Sequence, residues 1–414
     1  MSRNTFYDYI IVGGGIAGVS AAEAIRANDK YASISILSEE PELLYSRVML
    51  PLYVRGKIKR EQLFLRAAND YERHNIALWL DERVVEINRK KREIATDRKR
   101  VLNYKKLLIA TGGVPSQWKE SGAQTVKMLQ FQSINDADEL RALLALGSKG
   151  GAVVVGSGFI GFEFIEFFVS AGFHTAVVSP DPWYFHHFFD SEGAEIIKES
   201  FIRHNVEVYN DAHIVSIAES PEGIHVKTKE NLDIVADAIG AGVGLKRKVE
   251  MFEKAGLVVS RGVYTNEYLK TNDDNIYAAG DIAEYYDVVF RKRMLLGTWN
   301  NAFLQGKTAG ENMTGKEIVF RNVPNYSIRH FGLYISMVGD CARSEADSVI
   351  KLRWPYTDQY RELHLREGIL NGALLINRPQ DRNILEQLIK KRVDVRSHVN
   401  DLQSAHFDIH QLTA

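Results

Sequence analysis

The order of apolar and polar positions near the start of the chain predicts a strand, a tight turn and a helix. An apolar run at residues 9–12 meets a glycine-rich stretch, and the amphipathic segment VSAAEAIRA follows. The run is typical of a buried parallel strand. The spacing of Gly13, Gly15 and Gly18 suits a turn whose backbone N–H groups and helix N-terminus face a diphosphate. This first unit is therefore predicted to bind a dinucleotide.

The same pattern occurs a second time in the middle of the chain. From residue 150 the sequence reads GGAVVVGSGFIGFEFIEFFVSAGFHTAVVS, which predicts a strand, a glycine turn, a helix and a strand. Its glycines Gly156, Gly158 and Gly161 repeat the spacing of the first turn. One such fingerprint occurs by chance in many loops, whereas two in the same structural context predict two nucleotide sites.

The residues that follow the second strand differ between the two units. In the first unit, ISILSEE contains Glu39, 21 residues after Gly18, where a carboxylate can accept both hydroxyls of an adenosine ribose. In the second unit, Ser179 stands where a carboxylate would mark NAD and a nearby arginine would mark NADP. Asp181, two residues further on, is the candidate for the ribose contact. The choice between NADH and NADPH stays open.

Three further stretches carry candidate cofactor contacts. The apolar run LLIA ends in small residues that can lie against a cofactor, and NIYAA leads to an aspartate that either binds a polyol hydroxyl or caps a helix. The stretch GTWNNAFLQGKTAGENMTG predicts a helix with its positive end aimed at a flavin. Arg47 can reach a phosphate or a flavin edge, or lie on the surface. The candidates in the three stretches are Ala110, Thr111, Gly112, Gly280, Asp281, Trp299 and Ala302.

Composition excludes several classes of protein. The 414 residues are 45% hydrophobic with a net charge of −1, which is typical of a globular chain of roughly two to four domains. Cys341 is the only cysteine, which excludes an intrachain disulfide, a CxxC pair and a thiolate metal cage. The adjacent His186 and His187 diverge on a helix and lack a third ligand at metal spacing, so no metal site is expected. No apolar run reaches the roughly 20 residues of a membrane span, and an N-terminus that leads straight into a strand leaves no room for a signal peptide. A cytoplasmic setting is expected.

The small net charge conceals a basic region. Residues 47–106 contain 17 Lys and Arg against 8 Asp and Glu. The turns at 89–92 and 98–100 are either solvated hairpin tips or a landing site for an acidic partner, whose approach such a field would speed. Nucleic acid is not expected, since no aromatic side chains interleave with these charges.

Four motifs in order carry a resemblance to a known family. The first glycine turn with Glu39, LLIATGG, GSGFIGFE and NIYAAGDIA resemble the flavoprotein disulfide reductase superfamily, which has two dinucleotide folds. LYSRVMLP and the W-x-x-A-x-x-Q-G pattern narrow the resemblance to the ferredoxin, rubredoxin and nitrite-reductase-associated NAD(P)H reductases. The match covers residues 6 to about 320.

The resemblance implies an α/β fold with two Rossmann-like three-layer domains, the second inserted in the first, and a small α+β C-terminal domain. The implied boundaries are 1–117 and 243–320 for the FAD-binding domain, 118–242 for the NAD(P)H-binding domain and 321–414 for an interface domain. A homodimer stays open.

The resemblance also implies the cofactors and their contacts. Hydride would pass from NADH or NADPH to flavin N5, and electrons would then leave for a second acceptor. Glu163 would lie near the nicotinamide. FAD would contact the candidates in the three stretches together with Gly13, Gly15, Ala17, Gly18, Glu39 and Arg47. The nicotinamide nucleotide would contact Gly156, Gly158, Phe159, Ile160, Gly161, Glu163, Ser179 and Asp181.

Two departures from the family pattern keep three functions open. No cysteine stands near the start of the chain, which disfavours thiol and peroxide chemistry. Leu52 replaces a lysine that pairs with the glutamate in many relatives, so the charge of Glu163 is expected to be uncompensated. The chain is then a reductase of a small acidic carrier such as a rubredoxin or ferredoxin, a reductase of a diffusible acceptor such as oxygen or a quinone, or a non-catalytic flavin-binding subunit.

Overall fold

The computed structural model describes residues 5–116, 118, 121–122, 125–147 and 150–413. The chain divides into two compact units. The first unit comprises Met1–Met49, Lys59–Val114 and Lys246–Pro324, and the second comprises Leu50–Ile58, Pro115–Leu245 and Asn325–Ala414. The finer division into three domains stays a prediction, and its boundary residue 117 lies outside the described residues.

The helices and strands follow in chain order. The helices are α1 (Ile16–Asn28), α2 (Leu50–Val54), α3 (Ala68–Arg73), α4 (Ile134–Ala145), α5 (Phe159–Ser170), α6 (Ser191–Arg203), α7 (Glu250–Lys254), α8 (Trp299–Met313), α9 (Pro379–Lys391) and α10 (Val399–Leu402). The strands are β1 (Thr5–Val12), β2 (Ile34–Leu37), β3 (Ile76–Trp79), β4 (Val84–Asn88), β5 (Glu93–Thr96), β6 (Val101–Ile109), β7 (Val114–Pro115), β8 (Gly151–Val155), β9 (His174–Val178), β10 (Val206–Tyr209), β11 (Ile214–Ser220), β12 (Gly223–Thr228), β13 (Asp233–Ala236), β14 (Ala238–Ala241), β15 (Leu245–Lys246), β16 (Val263–Thr265), β17 (Ile276–Ala278), β18 (Ala283–Asp287), β19 (Lys292–Met294), β20 (Asn325–His330), β21 (Leu333–Gly339), β22 (Ser348–Arg353), β23 (Tyr360–Arg366) and β24 (Ile369–Ile376). Short 3₁₀ turns lie at Arg47–Met49, Arg60–Leu63, Arg343–Glu345, Arg396–His398 and Ile409–Thr413.

The first unit is built on a mixed sheet. Its strand order is β3-β2-β1-β6-β5-β4, and β17 also pairs with β6. Strands β1 and β17 run parallel to β6. The last four residues of β1 are apolar and buried, as is typical of a parallel strand that is covered on both faces. The alternating, basic stretch forms the antiparallel strands β4 and β5. The carboxyl ends of β1, β6 and β17 therefore lie side by side, at Val12, Ile109 and Ala278.

Helices α1 and α8 pack closely because α8 presents glycines to α1. A Cβ atom at Gly306 would lie 2.1 Å from the Ala17 carbonyl oxygen, and one at Gly310 would lie 2.4 Å from that of Ala21. Those distances are too short for any side chain, so this glycine-bearing face of α8 is a packing face. The helix begins at Trp299, as the sequence predicts.

The second unit contains the second Rossmann-like layer and the C-terminal sheet. Strands β10-β9-β8-β14 form a parallel sheet, β11-β12-β13 an antiparallel one, and β20-β21-β24-β23-β22 a five-stranded antiparallel sheet. The aromatic stretch after β9 buries Tyr184, Phe185 and Phe189. The rings of Tyr184 and Phe185 pack on Phe162 of α5. Among the described residues, no helix is both long and apolar enough to cross a membrane.

Candidate functional site

The three glycines of the first turn have different structural roles. Gly13 has a φ of 123°, and a Cβ atom there would lie 2.2 Å from the Ala110 carbonyl oxygen. A Cβ atom at Gly18 would lie 2.0 Å from the Gly13 carbonyl oxygen. Gly15 directly precedes α1, and a Cβ atom there would meet no atom within 4 Å. Packing thus requires the outer glycines, whereas the middle one leaves open space at a helix N-terminus.

The three glycines of the second turn have the same structural roles as those of the first. Gly156 has a φ of 102°, and a Cβ atom there would lie 2.7 Å from the Gly242 carbonyl oxygen. A Cβ atom at Gly161 would lie 2.5 Å from the Gly156 carbonyl oxygen, and Gly158 faces no atom within 4 Å. Glycine has no side chain to cap a helix, so the first N–H groups of α1 and α5 are left for another acceptor, such as a diphosphate. Both turns fit a dinucleotide.

Other predicted FAD contacts meet the first turn. Gly280 has a φ of 81°, and a Cβ atom there would lie 3.1 Å from the Ala17 Cβ and 3.6 Å from the Ala302 Cβ. Its N–H donates to Gln305 Oε1 at 2.7 Å. Gln305 was not predicted as a site residue, although it stands in the W-x-x-A-x-x-Q-G pattern. The structure brings these residues together at the carboxyl end of β17.

The remaining predicted contacts lie at strand and helix ends. Ala110, Thr111 and Gly112 follow β6 directly. Trp299 is half-buried at the first position of α8. Glu39 is exposed, two residues beyond β2, and its Oε1 lies 3.9 Å from Arg83 Nη1. The ribose contact of Glu39 stays a prediction.

Asp281 lies among basic groups of the first unit. Burial raises the pKa of its carboxyl, while Arg247 and Arg47 act in the opposite direction. Arg247 Nε donates to the Asp281 carbonyl oxygen at 3.0 Å, a contact that sequence reasoning missed. Arg47 also pairs with Glu40. The helix-cap alternative for Asp281 is wrong, because strand β18 follows it rather than a helix.

A carboxylate is held at the second turn. Ser179 follows β9 and is buried, and its hydroxyl donates to Asp181 Oδ2 at 3.2 Å. The Ser157 hydroxyl, which lies within the glycine turn, donates to the same oxygen. His187 Nε2 lies 3.8 Å from the other oxygen of Asp181. The role of Ser157 could be found only from the structure, since the fingerprint leaves that position free.

The start of α5 presents the other predicted nucleotide contacts. Phe159 packs on Tyr326, with ring centroids 4.5 Å apart, and Ile160 is 38% exposed. Glu163 is buried, and its Oε2 lies 3.0 Å from His330 Nε2. The expectation of an uncompensated charge at Glu163 stays a prediction, because a histidine carries charge only when it is protonated. The chain supplies a partner from β20, far along the sequence.

Cys341 lies in a setting that disfavours thiol chemistry. It is buried, and its Sγ lies 3.4 Å from the Val338 carbonyl oxygen and 3.3 Å from that of Ala373. Burial raises the pKa of the thiol to about 12. A thiol in this state is neither ionised nor accessible near neutral pH.

The basic turns are partly neutralised within the first unit. Three arginines pair with acids, as Arg89–Asp273, Arg98–Asp81 and Arg100–Glu82. Lys90, Lys91 and Arg92 are exposed at the tip of the β4–β5 hairpin. The surface field is therefore smaller than the residue count predicts.

Comparisons with known proteins identify a family and several similar chains. The family model described as pyridine nucleotide-disulphide oxidoreductase matches residues 7–306. The chain is 25% identical over 387 residues to the assimilatory nitrate reductase electron transfer subunit of Bacillus subtilis, covering 92% of this chain and 49% of that protein. It thus spans about half the length of that relative. It is 25% identical over 407 residues to putidaredoxin reductase of Pseudomonas putida, covering 94% and 93%. The solved covalent putidaredoxin reductase–putidaredoxin complex has the same fold, with a TM-score of 0.91 and 23% identity over 100% of this chain and 99% of that one.

Proposed function

Because the chain belongs to the pyridine nucleotide-disulphide oxidoreductase family, we propose that it takes hydride from NADH and passes electrons through FAD to a small acceptor protein. FAD and a nicotinamide nucleotide are the cofactors of this family, and the chain is an FAD-dependent oxidoreductase of it. The observation that carries the proposal is the repeated glycine turn, in which Gly15 and Gly158 each face open space at a helix N-terminus.

The residues of the first unit would bind and orient FAD. Bound FAD supplies an N5 atom that accepts hydride and a ring that stores the electrons. The N–H groups after Gly15 would hold the diphosphate, and Glu39 the adenosine ribose. Asp281 would accept a hydrogen bond from the ribityl chain. The N-terminus of α8, at Trp299, would favour negative charge on the reduced ring.

NADH is the proposed donor rather than NADPH. The hydroxyls of Ser157 and Ser179 hold the Asp181 carboxylate beside the second turn. A carboxylate there can accept the ribose hydroxyls of NADH and repels the 2′-phosphate of NADPH. Ser179 alone left this choice open, and its hydroxyl now has a function as a donor to Asp181.

A small electron carrier is the favoured acceptor. Putidaredoxin reductase aligns over nearly its whole length, and its name pairs it with a small carrier protein. Cys341 is buried and protonated, which supports an acceptor other than a disulfide. The exposed Lys90, Lys91 and Arg92 suit an acidic carrier.

A subunit role is the second candidate. The Bacillus subtilis relative is by name an electron transfer subunit and is about twice as long as the aligned region. This candidate is compatible with a second nucleotide site that binds its nucleotide. Asp181 supplies a carboxylate beside Ser179, and His330 Nε2 lies 3.0 Å from Glu163 Oε2.

Stopped-flow mixing of the FAD-loaded chain with NADH and with NADPH tests the proposal. We expect NADH to bleach the oxidised flavin band at about 450 nm. Bleaching by NADPH should be much slower. Bleaching by neither nucleotide would contradict an enzymatic role. Bleaching by both at equal rates would contradict only the choice of donor.

A further inference from the structure

The second glycine turn is held by hydrogen bonds from the aromatic segment 181–189, which follows β9. The Tyr184 hydroxyl donates to the Gly158 carbonyl oxygen at 2.9 Å. The Phe185 N–H donates to the Ser157 carbonyl oxygen at 3.1 Å. Two neighbouring residues of the segment therefore bind two neighbouring carbonyl groups of the turn.

These bonds orient two consecutive peptide groups at the start of α5. A trans peptide group is planar, so its C=O and N–H point in opposite directions. The Ser157 carbonyl shares its plane with the Gly158 N–H, and the Gly158 carbonyl shares its plane with the Phe159 N–H. Because both carbonyl oxygens are fixed, the directions of both N–H groups are fixed as well. They belong to the first N–H groups of α5, for which a helix has no internal acceptor.

The Gly158 carbonyl oxygen uses both of its lone pairs. Besides the Tyr184 hydroxyl, it accepts from the Phe162 N–H at 3.0 Å, which is the first hydrogen bond of α5. A carbonyl oxygen offers two lone pairs. Rotation of this peptide group would break both bonds, so the phenol adds a constraint that the helix alone does not supply.

The surroundings of Tyr184 make its hydroxyl a permanent donor. The residue is 3% exposed, and its ring packs on those of Phe162 and Phe201, with centroids 6.0 and 5.1 Å away. Burial raises the pKa of the phenol well above its usual range, so the hydroxyl keeps its proton. A buried hydroxyl without an acceptor is costly, which further favours the bond to Gly158.

The backbone at Phe185 adopts a strained conformation that keeps its N–H against the turn. Its φ is 59°, in the left-handed region that bulky residues rarely adopt. The ring is 1% exposed and packs on Phe159 and Phe162, with centroids 4.8 and 5.6 Å away. Strain of this kind persists where the surrounding structure enforces it, and it is common at binding sites.

The aromatic segment is also fixed at both of its ends. At its start, Asp181 accepts from two serine hydroxyls. Directly after its end, Asp190 caps α6 by accepting from the Gly193 N–H at 3.0 Å, and the Tyr360 hydroxyl lies 3.0 Å from the same oxygen. Lys351 pairs with the second oxygen of Asp190. The segment is therefore held at its ends as well as at the turn.

We propose that Tyr184 is a positioning residue of the second nucleotide site, an inference that rests on the proposed function. Its hydroxyl holds the peptide group between Gly158 and Phe159 so that the Phe159 N–H faces the diphosphate of the nicotinamide nucleotide. A Cβ atom at Gly158 would meet no atom within 4 Å, which leaves the space for that diphosphate. The turn is ordered before the nucleotide binds, so binding does not need to order it.

Calorimetric titration of the FAD-loaded full chain with NAD⁺ tests this role. NAD⁺ carries the same diphosphate as NADH and does not reduce oxidised FAD. Tyr184→Phe removes only the hydroxyl and keeps the packing of the ring. Tyr277→Phe is the matched control in the first unit, because Tyr277 is buried and its hydroxyl donates to the Asn312 carbonyl oxygen of α8 at 3.4 Å.

Tyr184→Phe should raise the Kd for NAD⁺ roughly five-fold, and Tyr277→Phe should leave it unchanged. Both variants should show similar small decreases of the urea midpoint, because each loses one buried hydrogen bond. In stopped-flow reduction, Tyr184→Phe should need more NADH to reach half of the limiting rate, while the limiting rate itself stays that of the parent.

An unchanged Kd in the folded Tyr184→Phe protein would overturn the positioning role. Equal weakening of NAD⁺ binding in both variants would overturn it too, since the effect would then follow from the loss of any buried phenol. A parent chain that binds neither NAD⁺ nor NADH would instead contradict the proposed function.

Discussion

The two candidate carboxyl groups differ in their surroundings, because Asp281 is affected by burial and nearby charges, whereas Asp181 accepts hydrogen bonds from side chains. Asp281 lies in a buried setting that raises the pKa of its carboxyl, with Arg247 and Arg47 only partly offsetting the effect. Such a residue destabilises the empty fold when ionised and becomes useful when a hydroxyl group donates to it. Asp181 shows the opposite case, since two serine hydroxyls already donate to it.

Asp281→Asn should stabilise the FAD-free chain near neutral pH while weakening FAD binding. The raised pKa means that the folded state keeps a proton that the unfolded state has lost. Stability of the parent therefore falls as the pH rises from about 4 towards the raised pKa. The variant lacks this decline. Urea midpoints of the FAD-free proteins at about pH 4 and about pH 7 measure the effect.

The exposed Asp274 provides the control for this comparison, because Asp274→Asn removes a carboxyl that is 92% exposed in the same unit. Its pH dependence should match that of the parent. Equal pH dependence of Asp281→Asn and the parent would refute the account of Asp281.

Asp181→Asn should relax the preference for NADH. Removal of the carboxylate removes its repulsion of a 2′-phosphate and weakens its bonds to the ribose of NADH. We expect the ratio of kcat/KM for NADPH to that for NADH to rise roughly ten-fold, or about 1.4 kcal/mol. Steady-state reduction of a dye with each nucleotide gives the ratio. Asp233→Asn, on β13, should leave it unchanged, and an unchanged ratio in Asp181→Asn would exclude this carboxylate from donor choice.

The helices and strands follow the apolar pattern closely, and the glycine turns show why. Positive φ at Gly13 and Gly156 and the close contacts of Gly18 and Gly161 arise within six residues of sequence. Local backbone geometry therefore dictates them, and the sequence reveals them. A strand rather than a helix follows Asp281, because residues 283–294 form the β18–β19 hairpin, which is specified by its pairing partners.

Gly158→Ala should separate nucleotide binding from folding. A methyl group there meets no protein atom within 4 Å, so the free energy of unfolding should barely change. The same methyl group occupies the space proposed for the diphosphate, and the Kd for NADH should rise roughly ten-fold. Gly161→Ala is the matched substitution, since its methyl group would lie 2.5 Å from the Gly156 carbonyl oxygen. It should lose about 1–3 kcal/mol of stability.

Denaturant unfolding and NADH titration of both variants check this pair. Unchanged NADH binding in a folded Gly158→Ala protein would exclude the second turn as the diphosphate site. A fully stable Gly161→Ala protein would show that α5 can move away from the turn.

At the scale of the whole molecule, the net charge of −1 says little about docking. Residues 47–106 are rich in lysine and arginine, but the arginines of the two basic turns pair largely with nearby acids. Charges that are paired at short range contribute little field beyond about 10 Å. Any steering of an acidic carrier by the β4–β5 hairpin therefore depends on Lys90, Lys91 and Arg92.

Reversal of these three charges to glutamate should slow reduction of an acidic ferredoxin or rubredoxin by roughly ten-fold at low salt and weaken its salt dependence. Reduction of an uncharged quinone should be unaffected. Arg89 is left intact because it bonds Asp273 and the Gly256 carbonyl oxygen. Reversal of the exposed Lys198, Lys229 and Lys391 is the charge-matched control. Equal carrier rates for both triple variants would rule out docking at this hairpin.

The sequence alone determined the two strand–turn–helix units, the start of α8 and the absence of a second cysteine. These features depend on apolar periodicity and on the backbone geometry of residues that are close in sequence. Both can be read from the amino-acid sequence. Only the tertiary structure decided which polar groups meet. His330 reaches Glu163, and Arg247 reaches the backbone of Asp281, from distant parts of the chain. Such pairs depend on which strand ends and helix faces pack together, so no local spacing reveals them.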